Sequence, residues 1–196
     1  MCGIWGYKTN DYKTLNKEWI KDIINKADER GGHSYGFYGI KSNGEHVTFK
    51  EEGRARTGLI MEMIKNCVVV IGQSRLATSG KINLFNSQPL QTKDNVIVHN
   101  GNILDYKNIM NKYNYTPNTE LDTEAIIPLL NNHKLKDISI KGSFLHLKLK
   151  EYDWSLKYYS NGLPLIKVKE HHKTKIIALR NGWENTKKRI SKNRCN

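Results

Sequence analysis

No apolar run in the chain approaches the ~20 residues that a membrane-spanning helix requires. The opening residues also lack the basic segment, apolar core and small-residue cleavage site of a secretory signal. A cytoplasmic protein with no membrane partner is expected. Cysteine is scarce, with Cys2, Cys67 and Cys195 the only three, and neither CxxC nor CxH spacing occurs. An odd count without such spacing argues against a disulfide framework and against a zinc site. The seven histidines form no HExxH pattern, and only His171-His172 are adjacent, so no metal is expected. A GxxxxGK[ST] phosphate-binding loop is missing as well, and no cofactor is expected. Neither an internal repeat nor a long linker divides the 196 residues. One domain over residues 1–180 is expected, followed by a basic, loosely ordered tail over 181–196.

What is abundant is positive charge. Thirty-two Lys and Arg stand against 19 Asp and Glu, a net charge of +13. The excess is diffuse but thickens over 167–175 and 187–194. Such a balance admits nucleic acid or another acidic partner, although a Lys- and Asn-rich genome would leave the same trace.

The second residue carries the most information. Initiator methionine is readily removed when a small side chain follows it, and here the next residue is Cys2. Removal of Met1 would leave one residue with both a thiol and a free α-amino group. Unperturbed, these titrate near ~8.5 and ~8 respectively, so each is poised at neutral pH. An amino-terminal amine can activate the nucleophile beside it. The plain alternative is a small residue that opens a buried strand.

Residues 2–8 read as a first strand, and Leu15, Trp19, Ile20, Ile23, Ile24 and Ala27 recur at helical spacing over 15–29. Gly31-Gly32 ends that helix. Residues 35–41 and 46–51 flank Asn43-Gly44, a hairpin signal. A short helix over 57–65 precedes the apolar strand 67–75, and a polar loop follows it to Gln88-Pro89. A strand over 96–99, helices over 102–113 and 120–132, and strands over 143–151, 152–160, 164–169 and 174–180 complete the pattern. Strands in two sets interleaved with helix pairs predict an α+β protein with two sheets enclosed by helices.

Polar clusters fall where predicted strands end: Arg30-Gly31, Arg75 to Gly80, Asn100-Gly101 and Asp122-Thr123-Glu124. With Cys2 they supply a thiol, a guanidinium, an amide beside a glycine, and a carboxylate. That set could hold an amino acid by its α-carboxylate and α-amine while its side chain reaches the thiolate. Singly each has an ordinary explanation, since Arg75 could pair on the surface, Asp122 could favour a helix start, and Asn-Gly is a common turn.

In order along the chain these segments resemble the class II glutamine amidotransferase domains, which belong to the amino-terminal-nucleophile (Ntn) hydrolases. Met1-Cys2-Gly3-Ile4-Trp5-Gly6 resembles their amino terminus, and Arg30-Gly31-Gly32-His33-Ser34-Tyr35-Gly36 their RGxxSxG segment. Residues 71–80, IGQSRLATSG, resemble IGHTRWATHG and IGHVRYSTAG. Asn86-Ser87-Gln88-Pro89 with His99-Asn100-Gly101-Asn102-Ile103 resembles NAQP…HNGNL of amidophosphoribosyltransferase, and Asp122-Thr123-Glu124 resembles the DTE segment. Residues 141–144 and 161–165 resemble the GAY and SGSPL elements. The likeness extends to the glutaminase domain of glucosamine-6-phosphate synthase.

The resemblance implies a four-layer αββα sandwich of two mainly antiparallel sheets. It implies Cys2 as the nucleophile on the side-chain amide of L-glutamine, passing through a thioester, with Asn100 and Gly101 forming the oxyanion hole. Arg75 would hold the substrate α-carboxylate, Asp122 its α-ammonium, Thr78 a further hydrogen bond, and Leu76 would lie alongside. Arg30 and Gly31 would support the nucleophile. Ammonia would pass to a separate synthase subunit. The alternative is a catalytically retired amidotransferase fold serving as a basic binding or scaffold module. The chain departs from the family at Leu76, which stands where an aromatic is usual, and at Gln73 and Ser79, which stand where histidines are usual. Ala178-Leu179-Arg180 stands where ASD or ASE is usual.

Overall fold

A computed structural model describes residues 2–78, 80–135, 141–151, 153–163, 165–169 and 175–179. The predicted tail over 181–196, like Met1, lies outside the described residues.

The chain runs β1 (Gly3–Lys8), α1 (Lys17–Asp28), β2 (Ser34–Lys41), β3 (His46–Glu52), α2 (Thr57–Met63) and β4 (Cys67–Arg75). Then follow β5 (Leu90–Gln91), β6 (Asn95–Asn102), α3 (Tyr106–Lys112), a 3-10 turn (Asp122–Ala125) and α4 (Ile126–Asn131). It closes with β7 (Lys141–Leu149), β8 (Trp154–Asn161), β9 (Leu165–Lys169) and β10 (Lys175–Leu179). The strands form two sheets, one ordered β3-β2-β4-β1-β10-β9 and the other β5-β6-β7-β8, and every neighbouring pair is antiparallel.

The layering follows from side-chain alternation, which sends successive residues of a strand to opposite faces. Trp5 and Tyr7 of β1, with Phe37 of β2, pack under α1 on Ile20, Ile23 and Ile24. Ile4, one residue before Trp5, turns the other way with Tyr38, Ile40, Val69 and Ile71 to meet Val96, Val98, Leu145 and Leu147 of the second sheet. On that sheet's far face Ile97 and Phe144 pack against Ile109, Met110, Ile126 and Leu129 of α3 and α4. Three apolar seams therefore separate four layers in the order helix, sheet, sheet, helix, as expected for the αββα sandwich.

The boundaries differ from the sequence-based expectation in three places. Helix 102–113 begins only at Tyr106, because Gly101 and Asn102 pair with Gly142 and Lys141 and extend β6. Helix 120–132 is a 3-10 turn followed by α4, whose third residue is Pro128. Proline is tolerated in that first helical turn because its absent N–H has no intrahelical duty there. The two-residue β5, which pairs Leu90 and Gln91 with Ile97 and Val96, lies between the expected loop and the expected strand 96–99, where no element was expected.

Candidate active site

Cys2 immediately precedes β1, a central strand with β4 on one side and β10 on the other. Gly3 pairs with Ser74, so the thiol is delivered to the carboxyl end of β4. Gly3 has to lack a side chain, because a Cβ there would collide with the backbone of Ala27 at the end of α1. The Leu76 N–H donates to Cys2 Sγ at 3.4 Å, and the Arg30 Nε donates to the Cys2 carbonyl at 3.4 Å. Gly31 sits against Ser74 so closely that a Cβ would overlap its backbone. Arg30 thus touches the peptide after the thiol, and Gly31 packs on the residue that pairs with Gly3.

Burial pushes the Cys2 thiol up from its ordinary value, and Asp122 adds to that push. The Leu76 N–H and the Arg75 guanidinium act in the opposite direction by favouring the thiolate.

Across a cavity of about 730 Å³ from the thiol stands the end of β6. Cys2, Leu76, Thr78, Asn100, Gly101 and Asn102 line this space together with Lys141 and Asn161–Leu163. Asn100 is 2% exposed, and its Nδ2 has no hydrogen-bond partner among the described residues. A buried, unsatisfied donor costs about 1–3 kcal/mol, so its position beside a thiol is informative. Gly101 has φ +157, and a Cβ would meet the Lys141 carbonyl oxygen and come within 2.7 Å of Gly142 Cα. Close approach between β6 and β7 thus requires glycine here.

Of the expected residues, Arg30, Gly31, Arg75 and Asp122 are not among those that line the cavity. Arg75 is 3% exposed, and its Nη1 donates to the Lys81 carbonyl at 3.1 Å. Asp122 is half-buried, and its Oδ2 accepts the Ile103 N–H at 2.6 Å. Both act electrostatically on the Cys2 thiol. Asp122 also anchors the chain where it leaves β6.

A buried polar network supports Asn100 from behind, and the sequence reading gave these residues no role. Gln88 Oε1 accepts the His99 N–H at 2.6 Å, while Gln73 Nε2 donates to the His99 carbonyl. Both peptide groups flanking His99 are thus held by side chains, which fixes the start of Asn100. Gln88 Nε2 also donates to Thr123 Oγ1 at 3.0 Å, and His99 Nδ1 lies 3.0 Å from the same hydroxyl. Burial pushes His99 down to about 4, with Asp122 opposing it, so the ring is neutral at physiological pH. Glu124 receives Tyr115 OH, the Asn118 and Thr119 N–H groups and Thr119 Oγ1, and thereby shapes the approach to Asp122. Buried glutamines and a glutamate beside chain-reversing segments were the available signal, since polar groups inside a core must be paired. Among the described residues no cluster of His, Cys, Asp or Glu could hold a metal ion.

The family pattern described as "Glutamine amidotransferases class-II" matches residues 17–160, which is most of the chain. The chain belongs to the class II glutamine amidotransferases. The matched span begins beyond Cys2, so the family assignment and the nucleophile rest on separate observations. A curated relative of this amidotransferase is the glutamine–fructose-6-phosphate aminotransferase (isomerizing) of Halalkalibacterium halodurans, 33% identical over 154 residues. That alignment covers 74% of this chain and 24% of the relative. The 7-cyano-7-deazaguanine synthase 2 of Sulfurisphaera tokodaii is 28% identical over 165 residues, covering 74% and 35%. The amidotransferase thus spans between about a quarter and a third of the length of these relatives. Among solved structures, the glutamine phosphoribosylpyrophosphate amidotransferase of B. subtilis superposes with TM-score 0.65 over 90% of this chain and 41% of its own. At 18% identity that likeness speaks for the fold alone, the sandwich of two antiparallel sheets between helices. No helix among the described residues is long and apolar enough to cross a membrane.

Proposed function

We propose that this amidotransferase unit, running to about residue 180, hydrolyses the side-chain amide of L-glutamine and passes the ammonia to a separate synthase. The observation that carries the reading is the partnerless Asn100 Nδ2, which lines one cavity with the Cys2 thiol and Gly101.

Loss of Met1 would free the α-amino group of Cys2, which takes the thiol proton. Sγ then adds to the amide carbon, and the carbonyl electron pair moves onto oxygen. Asn100 Nδ2–H and the Gly101 N–H receive that oxyanion. Each such donor contributes about 2.7–4 kcal/mol of transition-state stabilisation. Collapse of the adduct breaks the C–N bond, the α-ammonium protonates the leaving nitrogen, and a glutamyl thioester remains. Water adds to the thioester carbonyl, and glutamate and the free thiol are regenerated.

Binding draws on the surroundings of the thiol. Arg75 would face the α-carboxylate with a planar guanidinium suited to two parallel hydrogen bonds. The second oxygen of Asp122 would accept from the α-ammonium, Thr78 would add a hydrogen bond at the rim, and Leu76 would close one wall.

The test measures glutamate released from L-glutamine by purified protein, with intact mass and a Cys2→Ala control. Release that requires Cys2, from protein lacking Met1, is expected. Correctly processed protein that releases none, alone or with candidate synthases, would overturn the reading in favour of a retired binding module.

A further inference from the structure

His33 joins the nucleophile's loop to the rest of the fold, and the reaction outlined above gives it no part. Its backbone N–H donates to the Arg75 carbonyl at 3.0 Å, and its ring Nδ1 accepts the Ala77 N–H at 2.9 Å. Its own carbonyl takes the Gly53 N–H at 2.9 Å, which ties it to the end of β3. The two bonds to the loop bracket a single residue, Leu76. That residue presents its N–H to Cys2 Sγ at 3.4 Å and its carbonyl at 3.6 Å.

We propose that His33 is a positioning residue for the Cys2 thiolate, a staple that aims the Leu76 N–H at the sulfur. Fixing the peptide before Leu76 and the peptide after it leaves the intervening N–H one direction. A backbone N–H can donate only to a ring nitrogen that carries no hydrogen, so the staple uses Nδ1 as the acceptor. Without that acceptor the loop holds through the His33 backbone alone, and the sulfur loses a fixed donor.

The inference rests on Cys2 as the reacting thiol, and its test needs no turnover. The rate of Cys2 alkylation by iodoacetamide is followed by site-resolved mass spectrometry at fixed neutral pH, for wild type, His33→Leu and His33→Asn. Leucine has no acceptor, whereas the Asn side-chain oxygen can take the Ala77 N–H. His33→Leu is expected to alkylate about tenfold more slowly, the shift that follows from losing one hydrogen bond to a charged acceptor. His33→Asn is expected to alkylate near the wild-type rate.

An unchanged alkylation rate in folded His33→Leu, or a rate in His33→Asn as slow as that of His33→Leu, would overturn the proposal. Should His33→Leu fail to fold, His33→Asn decides alone: a rate about tenfold below wild type would overturn the proposal. Glutamate release measured in parallel separates the two readings. Variant-dependent alkylation without any release would leave the staple standing and remove the glutaminase.

Discussion

Asn100→Ala should separate catalysis from stability, because the amide it removes has no partner in the folded protein. The Nδ2 is buried without a hydrogen bond. Truncation therefore breaks no bond to that nitrogen and relieves a desolvation penalty of about 1–3 kcal/mol. Against this stands the loss of a small side chain's packing, roughly 1–2 kcal/mol once the cavity is counted. The two nearly cancel, and for a chain of this size the melting temperature should stay within about 5 °C of wild type. Turnover responds quite differently. Loss of one oxyanion donor lowers kcat by roughly 10²–10³ while leaving ground-state binding, and so KM, little changed. The assay is steady-state glutamate release over a glutamine series, run beside a thermal melt. An Asn100→Ala protein within about tenfold of wild-type kcat would refute the oxyanion assignment. So would a collapse of the melt, which would mean that the amide holds the fold rather than a transient charge.

Gly101→Ala should fail for a different reason, since its Cβ would press on Lys141 and Gly142 across the strand pair. Overpacking of that kind costs about 1–3 kcal/mol, read as a lowered melting temperature. Glu124→Ala strips the acceptor from four donors and should cost roughly 3 kcal/mol or more in urea unfolding. Acid should destabilise the fold through His146, which burial pushes down to about 4, with Lys148 and Lys157 adding to the effect. The unfolded chain binds that proton near ~6.5, so the stabilisation is complete above that pH and is lost as pH falls toward 4. Urea midpoints measured between pH 7 and pH 4 should fall, and the fall should be shallower in His146→Gln. Cys67, pushed up to about 11 by burial, should resist thiol reagents at pH 8 until the protein unfolds, as followed by its alkylation in a urea series.

The layered fold was legible because its main strands carry it in their alternation. Ile4 against Trp5 and Tyr7, and Val96 and Val98 against Ile97, already encode two faces that both require cover. What escaped was set by pairing between distant segments. Asn102 reads as a helix start until β7 claims it, and Leu90-Gln91 is too short to signal a strand without Val96 and Ile97 beside it. At the site, thiol, amide and glycine were legible by type and order, and they line one cavity. Arg75 and Asp122 were legible as charged groups near the thiol, but their hydrogen bonds to the Lys81 carbonyl and the Ile103 N–H join segments that spacing does not bring together. The supporting side chains Gln73, Gln88 and His33 act through other residues' backbones. Sequence carries no mark of which peptide a side chain will hold.

The position of β1 between β4 and β10 has a consequence for the making of the protein. Trp5 pairs with Gly72 on one side and with Ala178 on the other. A ribosome delivers those partners long after the amino terminus has emerged, at roughly 5–20 residues per second. Throughout that interval the first strand has open edges, and Cys2, just ahead of it, lacks the Leu76 N–H that meets its sulfur in the finished fold. The thiol is thus made early and walled in late: it gains its surroundings only when β4 and the loop after it arrive.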